Sequence, residues 1–288
     1  MVKIVKRVAK PDWLKIQLPN TSEYRWMNKT IRDNKLHTIC TSGKCPNAAE
    51  CWGNGTATFM ILGDVCTRAC KFCNVKTGKP GPVDLKEPLR IARSIQIMKL
   101  RHAVITSVDR DDLEDGGASI WVETIQKVKE MNPGITMEVL IPDFQGKKHL
   151  VQQIIDAKPE VISHNIETVR RLTPLIRSRA RYDLSLSVLK YIADAGVVAK
   201  SGVMLGLGET DQEVLESMDD LVAVGVKVMT IGQYLQPSLK HLEVQEYVTP
   251  EKFNYLMEEG LKKGFKFVES GPLVRSSYHA ERHINALK

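Results

Sequence analysis

Short apolar, β-branched runs alternate with longer amphipathic stretches from Gly55 onward. The runs at 56–62, 102–108, 136–141, 161–166, 198–205 and 228–235 have the length and near-continuous apolar character of strands buried on both faces. Between and after them, residues 88–100, 119–131, 147–157, 184–195, 212–224 and 250–263 repeat their apolar positions with helical spacing. Strand, helix and strand in strict succession predict parallel strands joined by crossovers. Six such units make a partial (β/α)6 TIM-like barrel, spanning residues 55–264. Residues 1–54 read as an irregular extension and residues 265–288 as a separate C-terminal segment.

In such barrels the functional groups gather at the C-terminal ends of the strands. That rule puts the polar and glycine-bearing signatures on one rim. CTRACKFC follows the first strand, DRDDLEDGG the second and PDF the third, while HNIET ends the fourth. LGLGET follows the fifth and QYLQP the sixth. No internal repeat appears beyond the β/α alternation, and no low-complexity linker.

Composition changes this picture little. At 43% hydrophobic and 26% charged, 288 residues are ordinary for a globular chain able to bury a sizeable core. No apolar run is long enough for a membrane span. The start, MVKIVKRVAKPDWLK, is basic but lacks an apolar signal core. Cytoplasmic location is the expectation, with no membrane partner. A net charge of +7 favours an anionic partner. Its lysines and arginines are dispersed and no nucleic-acid motif accompanies them, so nucleic acid is not expected.

The cysteines decide the chemistry. All six lie within residues 40–73, as Cys40, Cys45 and Cys51 at C-x4-C-x5-C and Cys66, Cys70 and Cys73 at C-x3-C-x2-C. Structural zinc is usually held by two ligand pairs making four ligands, and no histidine lies between Cys51 and Cys73. Disulfide frameworks belong to smaller secreted chains. A 4Fe–4S cluster normally takes four thiolates. Three leave one iron for another ligand, and the second spacing, with the aromatic Phe72 before its last cysteine, is the signature of the radical S-adenosylmethionine enzymes. There the cofactor chelates the open iron, and one electron cleaves its carbon–sulfur bond to give a 5′-deoxyadenosyl radical.

Other motifs are weaker alone. Glycine pairs such as Gly116-Gly117 after Asp115 usually mark turns. Their place after the second strand matches a glycine-rich turn that these enzymes place against the cofactor's amino group. Gly206-x-Gly208 lacks the third glycine of a dinucleotide fingerprint and is read as letting backbone approach adenine or ribose. Asn165 and Glu167 are candidates for the ribose hydroxyls or the methionyl group, or else satisfy backbone at the rim. His279 and His283 share a helical spacing, and a solvated tail helix accounts for them better than metal. By itself Arg275-Ser276-Ser277-Tyr278 reads as a helix cap.

Taken together, CPNAAECW, GTATFMILGDVCTRACKFCNV, TSVDRDDLEDGGA, PDFQG, HNIET, SGVMLGLGET, GQYLQP and SGPLVRSSY closely resemble the lipoyl synthase family, over nearly the whole chain. The resemblance implies S-adenosylmethionine and two 4Fe–4S clusters, the radical cluster on Cys66, Cys70 and Cys73. An auxiliary cluster would take Cys40, Cys45 and Cys51 with a serine of the tail, Ser277 in our reading and Ser276 as the alternative. The C-terminal segment would fold over the barrel mouth. Cofactor contacts are expected from Phe72, Asp115, Gly116, Gly117, Asn165 and Glu167. The implied reaction inserts sulfur at C6 and C8 of an octanoyl chain on a lysine of a lipoyl carrier domain or the glycine-cleavage H protein, with the auxiliary cluster as donor. A ferredoxin or flavodoxin and an iron–sulfur carrier are the implied further partners. One departure is Ser42-Gly43, where the family often carries Glu-Ala. Rival readings are another sulfur-inserting radical enzyme, of the biotin synthase or methylthiotransferase kind, and a non-catalytic metal-binding module. A methylthiotransferase acting on RNA would need an added domain for which no residues remain.

Overall fold

The computed structural model describes residues 10–15, 22–34, 36–43, 45, 47–53 and 56–285, with the backbone alone at 23, 49, 53 and 283–285. The basic start of the chain and the boundary expected at 54/55 lie outside the described residues. Among the described residues the strands are β1 (His37–Thr38), β2 (Thr58–Ile61), β3 (Val65–Cys66), β4 (Lys76–Thr77), β5 (His102–Ser107), β6 (Thr136–Leu140), β7 (Val161–Ser163), β8 (Val198–Leu205), β9 (Val228–Gln233) and β10 (Phe267–Gly271). The α-helices are α1 (Ser22–Asp33), α2 (Ile39–Ser42), α3 (Ala48–Gly53), α4 (Glu87–Met98), α5 (Ala118–Met131), α6 (Lys148–Asp156), α7 (Thr173–Ile176), α8 (Tyr182–Asp194), α9 (Asp211–Ala223), α10 (Pro250–Lys263) and α11 (Ala280–Asn285).

One sheet runs β1-β2-β5-β6-β7-β8-β9-β10, with β3 and β4 paired separately. The edge strand β1 is antiparallel to β2. Every other neighbour in the sheet is parallel. The six expected strands and six expected helices are all present. They form because each strand can bury both faces and each long helix one stripe. Strands β2 and β9 are buried at every position, and α5 buries Ile120, Trp121, Thr124, Ile125 and Val128 on one side. Local chemistry sets the ends. Helix α9 opens with a Thr210–Glu213 capping box. Helix α10 opens on Thr249 and Pro250 and stops at Gly264, which turns back at φ 117°.

Two differences bear on the site. The fourth strand stops at Ser163 rather than 166; the chain leaves the regular ladder over His164–Ile166 and rejoins β8 at Glu167, held at φ 64° and bridged to Val203. A seventh parallel strand, β10, extends the sheet beyond the six expected. Its sequence FVESG has little apolar pattern of its own, but all five residues pair with β9. Edge strands β1 and β10 are not paired with each other, so the sheet is an incomplete barrel.

After β10 the chain turns at the rim, where the Val274 N–H donates to the Gly271 carbonyl at 3.0 Å. It then descends into the interior. Arg275 Nη1 donates to the Gln233 carbonyl at 3.3 Å, and Lys200 Nζ to the Ser276 carbonyl at 2.6 Å. Thr58 Oγ1 donates to Ser277 Oγ at 2.8 Å, and Tyr278 donates to Glu50 of α3 at 3.0 Å. The segment expected over the mouth thus enters at the rim and reaches down to the residue that opens β2.

Gly232 makes that path possible. A Cβ there would lie 2.1 Å from the Val274 carbonyl oxygen, whereas one at Gly81 would meet nothing within 4 Å. Gly232→Ala is therefore expected to lower stability by about 1–3 kcal/mol through overpacking and to expose residues 272–285 to limited proteolysis. Gly81→Ala should behave as wild type. Equal protection of the tail in the two variants would refute this account of the docking.

Candidate active site

The second cysteine triplet lies on the loop between β3 and β4. Cys66 ends β3, and its carbonyl accepts from the Gly78 N–H at 3.0 Å, while the Cys73 N–H donates to the Cys70 carbonyl at 3.1 Å. The Cys66 sulfur accepts from the backbone N–H groups of Arg68 at 3.4 Å and Asp109 at 3.3 Å. Burial pushes its thiol up to about 11, with the Asp109 carboxylate adding to the shift. The Cys73 thiol is pushed up to about 12, chiefly by burial, with Cys70 and Cys66 contributing against the Val75 N–H. Burial raises Cys70 as well.

Cys40 of α2, Cys45 and Cys51 of α3 form the second group. The Cys45 N–H donates to the Cys40 carbonyl at 2.9 Å. Burial, then the neighbouring Cys45, pushes Cys40 up to about 11, and the Thr58 N–H partly opposes this. Cys51 is raised by burial and then by Cys40 and Cys45. The Trp52 indole nitrogen is buried with no hydrogen-bond partner, beside the Cys40 thiol. These arrangements fit iron–sulfur clusters. The thiols of each group neighbour one another, and all but Cys51 face amide or indole N–H groups of the kind that hydrogen-bond cluster sulfur. Among the described residues no three His, Cys, Asp or Glu side chains gather as ligands of a single metal ion. A four-iron cluster takes each thiolate on a different iron, so it needs ligands around a space rather than a point.

Arg68, inside the second triplet, ties this loop to two strand ends. Its side chain is 5% exposed. Nε and Nη2 donate to the two Asp111 oxygens, each at 2.8 Å. Nη1 and Nη2 donate to Asp143 at 2.9 and 2.7 Å, and Asp109 lies 3.3 Å from Nε. Asp109 and Asp111 follow β5, and Asp143 follows β6. Burial alone would raise the Asp143 carboxyl; the Arg68 hydrogen bonds and charge reverse that and hold it at about 2.

Above the strand ends is a cavity of about 550 Å³. Cys66, Cys70 and Cys73 line it on one side, and Ile39 and Gly43, at α2, on another. Asn74 joins these two walls, its Nδ2 donating to the Ser42 carbonyl at 2.7 Å. Phe72, Asn165 and Glu167 also line the cavity. Asn165 Nδ2 donates to Glu167 Oε1 at 3.2 Å, while the buried Asn165 Oδ1 has no partner. Burial raises the Glu167 carboxyl against the opposing charge of Arg177.

Asp115, Gly116 and Gly117 do not line it. The Asp115 carboxylate accepts from the N–H groups of Gly117 at 2.9 Å and Ser119 at 3.0 Å and so starts α5. Gly117, at φ 87°, faces Leu62, which would lie 2.4 Å from a Cβ. Nor do Gly206 and Gly208 face the cavity. The N–H groups of Gly206 and Leu207 bond the Glu209 carboxylate at 2.5 and 2.9 Å, and Gln233 and Glu246 crowd Gly206 from behind. The backbone expected to approach adenine is thus occupied by protein. Ser276 lines the cavity and Ser277 does not. The Ser277 hydroxyl instead meets Thr58, whose N–H faces the Cys40 thiol. His279 lies within ion-pair range of Glu50 and Glu281, and the His283 side chain lies outside the described residues.

Sequence reasoning missed Arg68, Asp143, His164, Glu138 and Lys200. Its available signal was a charge inside an otherwise apolar strand, at Glu138 and Lys200, because such residues are almost never fully buried without a partner.

The sequence signature described as the Radical SAM superfamily matches residues 60–221. The chain is 62% identical to a lipoyl synthase of Parabacteroides distasonis, over 98% of this chain and 100% of the relative. It is 65% identical to a lipoyl synthase of Treponema denticola, over 96% and 95% of the two chains. Among solved structures, Streptococcus suis SuiB bound to the precursor peptide SuiA superposes with a TM-score of 0.60 at 12% identity, covering 86% of this chain and about half (52%) of SuiB. Methylornithine synthase (PylB) gives 0.57 at 13% identity, covering 87% and 78%. These two likenesses bear on the fold alone.

The buried ionisable groups predict two separate acid transitions. His164 is buried, its Nδ1 at 2.9 Å from the Ile141 carbonyl and its Nε2 at 3.0 Å from Ser185 Oγ. Since a carbonyl only accepts, Nδ1 carries the proton and Nε2 accepts from the serine. Burial, then Arg177, lowers this histidine from 6.5 to about 4. Between those values the unfolded chain binds a proton that the folded chain refuses, so stability falls as pH falls, by about 3 kcal/mol in all. Asp143 works in a lower window. Its contribution is whole above 3.8 and is lost as pH drops towards about 2, a further loss of about 2 kcal/mol. Urea unfolding at stepped pH should show both, with His164→Gln removing the upper and Asp143→Asn the lower. Identical profiles for wild type and His164→Gln between 6.5 and 4 would contradict the first.

Proposed function

Since the chain belongs to the lipoyl synthase family of radical S-adenosylmethionine enzymes, we propose how its two cysteine groups divide that family's reaction between them. The protein is a sulfur-inserting enzyme that uses S-adenosylmethionine and two 4Fe–4S clusters and acts on lipoyl carrier protein. Cys66, Cys70 and Cys73 would hold the cluster that, with the cofactor bound, would supply radical chemistry, and Cys40, Cys45, Cys51 and Ser277 would hold the cluster that would supply sulfur for C6 and C8 of the octanoyl chain.

One observation supports this division above the rest. A single cavity has the second triplet as one wall and α2, which carries Cys40, as another. Its volume is within the usual range for a small-molecule site. Phe72, Asn165 and Glu167 line the same cavity and would bind the cofactor, the unpartnered Asn165 Oδ1 accepting from it. Met60, Val108, Ile141 and Met204 give the rest of the lining an apolar character suited to an alkyl chain. In this reading Asp115, Gly116 and Gly117 act at one remove, by starting α5 and seating Leu62. The extension 1–54 and the tail 265–288 together serve the sulfur-donating site, and residues 55–264 the radical site.

The carrier is a lipoyl domain or the glycine-cleavage H protein, electrons come from a ferredoxin or flavodoxin, and an iron–sulfur carrier restores the consumed cluster. The proposed location is the cytoplasm. No helix among the described residues is long and apolar enough to cross a membrane.

Separate roles predict separable defects. Cys66→Ala should abolish 5′-deoxyadenosine formation. Cys45→Ala should retain it while making no lipoyl product from an octanoyl-lysine peptide under anaerobic, reducing conditions. Product from the Cys45 variant, detected by mass, would remove the sulfur-donor assignment. A second expectation concerns charge. Lys71 and Lys240 are exposed beside the cysteine loop, near the exposed Leu239 and Leu175. The loop segments are linked by the Lys71 N–H bond to the Ile176 carbonyl and the Leu242 N–H bond to the Lys71 carbonyl. If these cations steer an acidic carrier, raising salt from about 0.05 to about 0.3 M should lower kcat/KM several-fold on the carrier and less than about two-fold on a neutral peptide. Equal salt sensitivity of the two substrates would rule out steering.

A further inference from the structure

Two charged residues in the barrel interior touch neither the cavity nor the cysteine loop. Lys200 on β8 and Glu138 on β6 have side chains 0% and 1% exposed. Along both strands alternate residues face inward. Leu140, Gly202 and Met204 line the cavity, and Glu138 and Lys200 stand two residues before Leu140 and Gly202, one layer deeper. Lys200 Nζ donates to the two Glu138 oxygens at 2.7 and 2.8 Å. It also donates to the Ser276 carbonyl at 2.6 Å.

That carbonyl belongs to the peptide joining Ser276 to Ser277. Its oxygen is held by Lys200, and on its far side the Ser277 hydroxyl is held by Thr58 Oγ1 at 2.8 Å. Thr58 and Glu138 stand in one register row through Val104. A buried ion pair is a poor way to gain stability, since desolvating both charges costs about as much as their attraction returns. Apolar residues of the same volume would fill the space as well. What apolar residues lack is a fixed donor aimed at one peptide group.

We propose that Lys200, held by Glu138, is a positioning residue for sulfur insertion: it fixes the Ser276–Ser277 peptide so that the Ser277 hydroxyl faces the first cysteine group. The proposal rests on the reading of Ser277 as a cluster ligand. Lys200 itself does not line the cavity. It acts through the main chain, so neither serine side chain needs to bond the lysine, and Ser276 stays at the cavity wall while Ser277 points away from it.

The test uses the full-length chain reconstituted with iron and sulfide. Lys200→Met/Glu138→Met replaces both charges by apolar groups of similar length and removes the two partners together. It is expected to melt within a few degrees of wild type and to cleave S-adenosylmethionine within about two-fold of the wild-type rate. Amide hydrogen exchange across residues 272–280 should quicken by about tenfold or more, the Mössbauer component of an iron bearing an oxygen ligand should decline, and lipoyl product should fall by up to about a hundred-fold, the scale of a misplacement near 1 Å. Unchanged exchange across 272–280, or an unchanged oxygen-ligated component, would overturn the proposal. Should the double variant melt too low to load clusters, Lys200→Arg keeps a charge beside Glu138 but carries the donor past the Ser276 carbonyl, and the same exchange and spectral changes are required of it. Ser277→Ala separates the premise from the inference. If it leaves the oxygen-ligated component intact, the serine-ligand reading fails; if it removes that component while the Lys200 variants do not, only the positioning role fails.

Discussion

The buried guanidinium of Arg68 is the constraint on which the mouth of this barrel depends. The loop carrying Cys66, Cys70 and Cys73 contains no helix, and its flanking strands β3 and β4 are two residues each. Nothing in its own hydrogen bonding would fix three thiols relative to a sheet. Arg68 does so from inside the loop, through bidentate bonds to Asp111 beyond β5 and Asp143 beyond β6. Desolvating a guanidinium and carboxylates is costly, and geometry of this quality is what offsets it. The arrangement is therefore all or nothing. Loss of the arginine would leave carboxylates buried without a cation, at a cost of about 3–5 kcal/mol, and would leave the cysteine loop to lesser ties such as the Thr67 N–H bond to the Asp109 carbonyl at 3.0 Å. Asp109 completes the link, since its N–H bonds the Cys66 sulfur and its carboxylate faces the same arginine.

A second constraint acts through the interior. A partial barrel leaves an open side and a core that side chains alone must fill. Here the chain fills part of it with its own tail, which the small residues Gly232, Ser276 and Ser277 allow to pass close to the strands. The tail also joins the two parts of the molecule that the barrel does not. Asn47 Nδ2 bonds the Leu273 carbonyl at 2.6 Å and Tyr278 bonds Glu50, so the extension carrying the first cysteine group docks against the segment carrying the serines. Stacking of Tyr24 on Trp52, with centroids 5.1 Å apart, backs α3 from the other side.

How much of this was legible follows from where each signal lies. Helices α4 to α6 and α8 to α10 and the six central strands could be read because their burial is periodic and their ends carry local chemistry, as at Thr210 and Thr249. Both cysteine groups could be read because thiols at such spacing suit little besides metal. Strand β10 could not, since FVESG becomes a strand only by pairing with β9. Nor could the Arg68 clamp. DRDD and PDF do fall at strand ends, but which carboxylate meets which cation is a property of the folded sheet and leaves no trace in spacing. The Asp115–Gly117 turn carries a second requirement that spacing alone did not reveal. Its glycines serve the α5 entry through positive φ and the close approach of Leu62, a need that shows only once β2 and α5 are packed together.

The departure at Ser42-Gly43 gains a physical meaning from the same geometry. Helix α2 ends there, with the Gly43 N–H donating to the Ile39 carbonyl at 2.7 Å. A Cβ at position 43 would lie 2.7 Å from that same oxygen, closer than real contacts permit. An alanine at this position therefore requires the end of α2 to open slightly. Ile39 and Gly43 are both cavity wall, and the intervening Ser42 carbonyl takes the bond from Asn74, one residue beyond Cys73. Glycine thus draws the end of the Cys40 helix in tight at a place where the two cysteine segments touch. The spacing of the cysteines is unaffected. Gly43 and Asn74 bear instead on how closely the wall carrying the first group approaches the wall carrying the second.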